Sequence, residues 1–471
     1  MLRRTRNVGR LLAGLFAVLL AYLAFVQVIW GPQLAASPQN PRLALAAERI
    51  HWGRILDRRL TVLADSVGTG PLQVRRYPQG AAFAHVLGYR SRRYGLTGIE
   101  RREDLALLGL PITDPWEVLQ EAFGRTPEGN DVVLTLDAGI QQAAVRALGN
   151  VRGAVVVLDP RTGAVLALVS RPGFDPSAVD AQWAVLSRDA SAPLYDRATQ
   201  GQYPPGSSFK TVTLTAALGS GRVHLADPVR CPEAIDVGGA LIHNFEHEQL
   251  GQISVLQAFV ASCNTAFVQI GQRTGAQAVA AAARAFGLGQ PVPFDLPTSS
   301  GYVPPPRDLG ARGLAQIAFG QGSLLVTPLQ MALVAAAVGN GGTMMTPFLV
   351  SQIRAPDGRI RQTFTQRGSR NVMAASLAGE VAQAMVQVVQ SGTGTAAQLP
   401  GVLVAGKTGT AENPHGNTHA WFIAFAPADR PVVALSVIVE NGGVGGQVAA
   451  PIARQVLAAA LQIQSAAAGR P

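Results

Sequence analysis

Apolar and polar positions follow three textures along the chain. The first is an unbroken apolar run from Leu11 to Trp30, 20 residues without a charge. As a helix such a run covers the roughly 30 Å of a bilayer's hydrocarbon core. The second texture, residues 31–150, mixes Gly and Pro punctuation, arginine pairs (Arg58-Arg59, Arg75-Arg76, Arg92-Arg93) and short apolar runs. It predicts an irregular, strand-containing module. At its end Asp131–Asp137 reads as a strand and Ala138–Leu148 as a helix.

From Gly153 the texture changes again. Gly153–Leu158 and Ala164–Val169 are strand-like runs around the tight turn Asp159-Pro-Arg-Thr-Gly163, and Trp421–Phe425 and Val432–Glu440 form a second such pair. Between them lie Ala-rich stretches with helical character: Ser207–Leu218, Val255–Arg273, Ala276–Phe286 and Pro328–Val338, with Pro451–Leu461 closing the chain. Strand pairs at both ends with helices between them predict one sheet assembled from the two ends of a single domain. Pro291–Pro306 reads as a loop, and no internal repeat is visible.

Composition narrows the picture. With 48% apolar and 14% charged residues over 471 positions, the chain is neither disordered nor fibrous, and its length suits two or three domains. The net charge is +10, but Arg3, Arg4, Arg6 and Arg10 stand directly before the apolar run, and removing them leaves +6 without a clustered basic stripe. Nucleic-acid binding is therefore not expected. Those arginines predict a cytoplasmic N-terminus and an outward-facing remainder. A cleaved signal peptide fits less well, because the run exceeds a signal core and Leu34-Ala-Ala-Ser37 is followed by Pro38. The expected plan is a cytoplasmic tail (1–10), a transmembrane anchor (11–30), an extracytoplasmic module (31–150), a larger second domain (151–465) and a short tail (466–471). Two cysteines, Cys231 and Cys263, cannot form a disulfide framework, though one bridge stays open in an oxidising compartment.

Of the 39 basic residues only two are lysines, Lys210 and Lys407. A GC-rich genome accounts for the arginine excess, but not for which two lysines survive. A crowded or buried lysine can give up its proton, whereas arginine cannot. Lys210 stands three residues after Ser207 in Tyr203-Pro-Pro-Gly-Ser-Ser-Phe-Lys210, where Pro205 and Gly206 place Ser207 at or near a helix N-cap. Ser207 and Lys210 then share a helix face, and Ser208 points elsewhere. Ser262-Cys-Asn264 adds a hydroxyl and an amide. Lys407-Thr-Gly-Thr410 follows the strand-like Val402–Ala405, where Gly409 would let a ligand approach the backbone. Read alone, each motif is also an ordinary cap, turn or edge-strand lysine.

Together they are Ser-x-x-Lys, Ser-x-Asn 55 positions on and Lys-Thr-Gly a further 145 on, the motif set of penicillin-interacting serine acyltransferases. The chain resembles the class B, monofunctional penicillin-binding proteins over nearly its whole length. Ala318-Phe-Gly-Gln-Gly322, Val326–Met331, His419-Ala-Trp-Phe422, Phe425-Ala-Pro427 and Ala449-Ala-Pro451 look like family landmarks. Ala84–Gly88 and Tyr94–Glu100 look like the N-terminal module. Asp196-Arg-Ala198 stands where the family has Asn-Arg-Ala, and Trp52-Gly53 lacks the usual arginine before the glycine. About 120 residues between Trp30 and Val151 are too few for the glycosyltransferase domain of class A enzymes.

The resemblance implies an α+β fold: one transmembrane helix, an elongated β-rich pedestal module, and a transpeptidase domain with an antiparallel five-stranded sheet flanked by helices. It implies a peptidoglycan D,D-transpeptidase acting through a serine acyl-enzyme on D-Ala-D-Ala stem peptides and blocked by β-lactams, with a role in cell shape or cell division. Catalysis would fall to Ser207, Lys210 and Ser262, and substrate binding to Asn264, Lys407, Thr408, Gly409 and Thr410. The backbone amides of Ser207 and Thr410 would form the oxyanion hole. A SEDS-family glycan polymerase in the membrane would be the partner. A β-lactamase or β-lactam sensor shares the Ser/Lys set, but no water-activating base stands out; a non-catalytic scaffold would not need both lysines. No cofactor is expected, and no metal: His243/His247 and His415/His419 are spaced i, i+4, but neither segment reads as a helix.

Overall fold

The computed structural model describes residues 2–31, 50–68, 72–110, 128–365, 367–413 and 416–468. The fold is mixed α+β. A helix over Leu2–Phe25 continues through the wider turn Val26–Trp30. Residues Arg6–Trp30 are long and apolar enough to cross a membrane, with their side chains turned away from the rest of the protein. The residues considered for signal cleavage, 34–37, lie outside the described residues.

The central sheet has the five expected antiparallel strands, in the order Ala405–Ala411, His419–Ala426, Val433–Val439, Gly153–Leu158 and Val165–Arg171. It is assembled from the two ends of the domain, as the strand pairs predict. Val155 and Val157 pack with Ile140, Ala144, Val456 and Leu457 on one face. Ala154, Val156 and Leu158 pack with Leu329 and Leu333 on the other. Both faces are therefore covered, which is why Val433–Val439 is wholly buried and apolar at every position but Ser436, whose hydroxyl donates to Pro328 O, rather than alternating.

A second sheet, of six strands, runs Ile360–Thr363, Val350–Arg354, Asp131–Leu134, Ile55–Leu56, Val62–Val67 and Val74–Arg76. Two of its strands come from beyond residue 349, so the N-terminal module is completed by a later excursion of the chain. Asp137 ends the strand segment and caps Ala138–Leu148, accepting from the amides of Gly139 and Ile140.

Three local expectations are corrected. Ser207 is not an N-cap: Gly206–Phe209 is a 3₁₀ turn, and the α-helix begins at Lys210. Val255–Arg273 is not continuous. It breaks at Ala261–Cys263 into Val255–Val260 and Asn264–Thr274, and Ser262 at the break adopts φ +62°. Val402–Val404 is outside the sheet, and Lys407 lies within the edge strand Ala405–Ala411 rather than after it. The bridge that the sequence leaves open is formed: Cys263 is disulfide-bonded to Cys231. The 17-residue helix Ala375–Ser391 packs against the strand that carries Lys407.

The N-terminal module is held by a buried ionic cluster. Glu100, fully buried, accepts from Arg75 Nε (2.6 Å), Arg90 Nε (3.2 Å) and the Tyr77 hydroxyl (3.3 Å). Arg90 also donates to Asp104 at 2.6 Å. Burial alone would raise the Glu100 carboxyl, but the two guanidinium charges outweigh it and hold the group below the ordinary carboxylate value. Removing one side of such a cluster leaves the other charged and desolvated. Glu100→Gln should therefore cost about 3–5 kcal/mol, read as a lowered urea midpoint of the full chain in detergent; a change below about 0.5 kcal/mol would contradict this.

Candidate active site

The three motifs converge on one cleft because three elements meet there: the 3₁₀ turn at Gly206–Phe209, the helix break at Ala261–Cys263 and the edge strand Ala405–Ala411. The turn is clamped from several sides. Tyr203 exchanges both backbone hydrogen bonds with Val326 (2.9 Å each), Gly206 N donates to Gly320 O (2.9 Å), and Trp421 Nε1 donates to Pro204 O (3.0 Å). The landmark segments around Gly320, Val326 and Trp421 are thus the supports of the serine turn. Gly206 has φ +54°, and a Cβ there would lie 2.7 Å from Thr410 O. At Gly409 a Cβ would meet Pro205 O at 2.8 Å and Trp421 Cβ at 2.9 Å. Any side chain at Gly409 would therefore keep the serine turn from pressing onto the strand.

Strand alternation separates the roles along 407–410. Lys407 and Gly409 face inward, toward Ser262 and the serine turn. Thr408 and Thr410 line the cleft: the Thr408 hydroxyl lies 2.6 Å from that of Thr393, and Thr410 Oγ1 accepts from Gly445 N at 3.2 Å. The cleft, about 730 Å³, is lined by Ser207, Ser262, Asn264, Thr408 and Thr410 among others, while Lys210, Lys407 and Gly409 lie beneath its surface. Ser208 is buried and donates to Pro205 O at 2.7 Å, so it does point away from the cleft.

Both lysines are fully buried and meet at one residue. Lys210 Nζ donates to Ser262 O, Ser262 Oγ (3.3 Å) and Asn264 Oδ1 (2.8 Å). Lys407 Nζ donates to Ser262 Oγ at 2.9 Å and Thr408 O at 3.2 Å. The left-handed backbone at Ser262 turns its hydroxyl and carbonyl toward these amines. Phe267 and Phe259 lie 5.4 and 5.6 Å from the two Nζ atoms. No carboxylate pairs with either lysine among the described residues. Burial, followed by the charge of Lys407, pushes Lys210 well below the ordinary lysine value. Burial pulls Lys407 down to about 7.

Some functional neighbours carry no motif. Asn244 is buried; its Nδ2 donates to Pro232 O and Glu248 O (2.8 Å each), and its Oδ1 accepts from Thr265 N at 3.0 Å. With Cys231–Cys263 it fastens the hairpin beside the cleft to the helix start at Asn264. Only contacts reveal it. Asp196, at the position where the resemblance expects Asn, accepts from Ala198 N (2.9 Å) and the Thr199 hydroxyl (2.7 Å) within a turn, uses that need an acceptor only. Arg197 donates to Glu440 (2.8 Å), which also accepts from Tyr203 OH (2.7 Å), tying the serine turn's base to the end of a central strand. Of the second histidine pair, His415 lies outside the described residues, and His419 accepts from Asn441 N at 3.0 Å.

The comparisons agree with this geometry. Residues 153–458 match the family model for the penicillin binding protein transpeptidase domain, and residues 53–132 match the penicillin binding protein A dimerisation domain. The peptidoglycan D,D-transpeptidase PbpA of Mycobacterium tuberculosis is 39% identical over 97% of this chain and 98% of its own length. The peptidoglycan D,D-transpeptidase MrdA of Acinetobacter baumannii is 32% identical over 81% of this chain and 65% of its own. The ceftriaxone acyl-enzyme complex of penicillin-binding protein A from M. tuberculosis superposes with a TM-score of 0.84, at 38% identity, over 89% of this chain and all of that one.

The lysine environment has a thermodynamic signature. In the folded chain Lys210 loses its proton well below the ordinary lysine value, whereas unfolded it keeps it up to about pH 10.4, so between those two points the unfolded chain binds one more proton. Stability from this group is missing at lower pH and returns as pH rises toward the unfolded value. The stability difference between wild type and Lys210→Met should therefore shift in favour of wild type by about 1.4 kcal/mol per pH unit between roughly pH 7.5 and 9.5, measured by urea unfolding. A pH-independent difference would contradict the shift.

Proposed function

This chain belongs to the class B penicillin-binding proteins, and from that premise we propose that it is a peptidoglycan D,D-transpeptidase working through a serine acyl-enzyme. The observation that carries the reading is the meeting of the chain's only two lysines, both buried, at the hydroxyl of Ser262 beside Ser207. The relatives named above are called D,D-transpeptidases, and the structural neighbour holds a β-lactam as an acyl-enzyme.

In the proposed mechanism Ser207 Oγ attacks the carbonyl carbon between the two terminal D-alanines of a stem peptide. Neutral Lys210 accepts the hydroxyl proton, which its desolvated site makes available at neutral pH. The amides of Ser207 and Thr410 receive the oxyanion; such donors are worth about 3–4 kcal/mol each. Ser262, bonded to both amines, passes the proton onward to the departing D-Ala nitrogen. Asn264 spends its carbonyl on Lys210 and one N–H on His243 O, at 3.1 Å. That leaves its second N–H for the stem-peptide carbonyl. Thr408 and Thr410 offer hydroxyls to the terminal carboxylate, and Lys407 adds positive charge from beneath the strand. An amine of a neighbouring strand then displaces Ser207, giving the cross-link. A β-lactam enters the first half of this sequence and stays on Ser207.

We also read the N-terminal helix as a membrane anchor with the arginines on the cytoplasmic side and the two globular parts outside. The anchor and the N-terminal module would then face a SEDS-family glycan polymerase in the same membrane.

The test is labelling with a fluorescent penicillin. Ser207→Ala should abolish label and Ser208→Ala should keep it. Lys210→Arg should abolish acylation, since arginine cannot accept the proton. Lys407→Arg should leave a measurable remainder, since its charge is preserved. Equal labelling of Ser207→Ala, or normal acylation of Lys210→Arg, would overturn the assignment.

A further inference from the structure

The hairpin beside the cleft brings together three side chains that the proposed reaction does not use. Its strands Ala234–Val237 and Ala240–His243 pair Ala234 with His243, and Asn244 N donates to Glu233 O at 3.0 Å, extending the ladder by one step. Glu233 thus starts one strand where His243 ends the other. The chain then turns back sharply, with Glu246 at φ +51° and His247 at φ +59°. Two consecutive non-glycine residues in the left-handed region carry a conformational cost. Here it returns His247 against its neighbours: its ring lies 5.0 Å from that of His243, inclined 71°, and its Nδ1 is 2.9 Å from Glu233 Oε1. Ligand-capable atoms of all three residues lie within 4.8 Å of one another.

We propose that Glu233, His243 and His247 form a binding site for a divalent transition metal, zinc by preference, on the rim of the cleft. Two imidazoles and one carboxylate suit zinc: they are too rich in nitrogen for calcium or magnesium and lack the thiolates that favour copper(I). Zinc–ligand bonds of about 2.0–2.2 Å in tetrahedral geometry put ligand atoms about 3.4 Å apart. The three side chains are exposed and need only rotate to close that distance. Their backbones are already fixed, by the hairpin ladder, by buried Asn244 between the two histidines in the fold, and by the Cys231–Cys263 bridge next to Glu233. Three protein ligands leave the fourth position to water. His243 is also the residue whose carbonyl holds Asn264, so the metal would stiffen the strand against which that amide is set. The i, i+4 spacing hides this arrangement in sequence, because its third ligand comes from the opposite strand and no helix is involved.

The test uses the full chain without an oligohistidine tag, in detergent micelles, with neither chelator nor reductant, so that the disulfide offers no thiolate. Calorimetric titration with zinc chloride should show one zinc per chain. His243→Gln and His247→Gln should each abolish that binding and Glu233→Gln should weaken it roughly tenfold, while His224→Gln keeps it. Thermal melting of each variant without zinc should match wild type, separating lost ligation from lost folding. No binding by wild type, which would mean a plain Glu233–His247 pair, overturns the site; so does zinc retained by both histidine variants. A failed penicillin-labelling test of Ser207 would leave this result untouched, because no step of the acyl transfer enters it.

Discussion

Burying two amines around one hydroxyl is the constraint on which the domain is organised. Two ammonium groups cannot share a desolvated pocket without a counter-charge, and no carboxylate stands beside Lys210 or Lys407 among the described residues. The only relief open to the site is release of protons. Burial pushes both amines in that direction, and the charge of Lys407 lowers Lys210 as well. What would be a defect in an ordinary core is, in the proposed mechanism, what leaves an amine unprotonated and free to take a serine proton at neutral pH.

Much of the surrounding structure follows from holding that arrangement in place. Ser262 must present its hydroxyl and carbonyl to both amines, which requires the left-handed backbone and the break between Val255–Val260 and Asn264–Thr274. The break is fastened by Cys231–Cys263 and by buried Asn244. On the opposite side, Gly206 and Gly409 remove the side chains that would keep the serine turn off the edge strand. Glu440 ties Arg197 and Tyr203 at the base of that turn. The five-stranded sheet, packed on both faces, supplies the rigid edge against which these parts are set.

The sheet was legible in sequence because continuous apolar runs such as Val432–Glu440 have one reading once they recur at both ends of a domain. The site was legible because the chain carries only two lysines and both sit in motifs at matching separations. What escaped was set by tertiary context. Nothing local distinguishes Val255–Arg273 from an unbroken helix, since Ser262 takes its conformation from partners 52 and 145 residues away. The serine turn reads as a helix start, yet its tight geometry depends on Gly320 and Thr410. Asn244 and Glu233 gain meaning only from the hairpin that places them, and Cys231–Cys263 only from the fold that brings the two together.

The central claim is that both lysines are held as weak bases, well below the ordinary lysine value. With only two lysines in the chain, side-chain ¹⁵N labelling gives two Nζ resonances, assigned by Lys407→Arg. Their titration reads the claim directly. The account predicts that both amines change protonation well below the ordinary lysine value, that of Lys407 near pH 7. Two resonances titrating together near the ordinary lysine value of about 10.4 would contradict it.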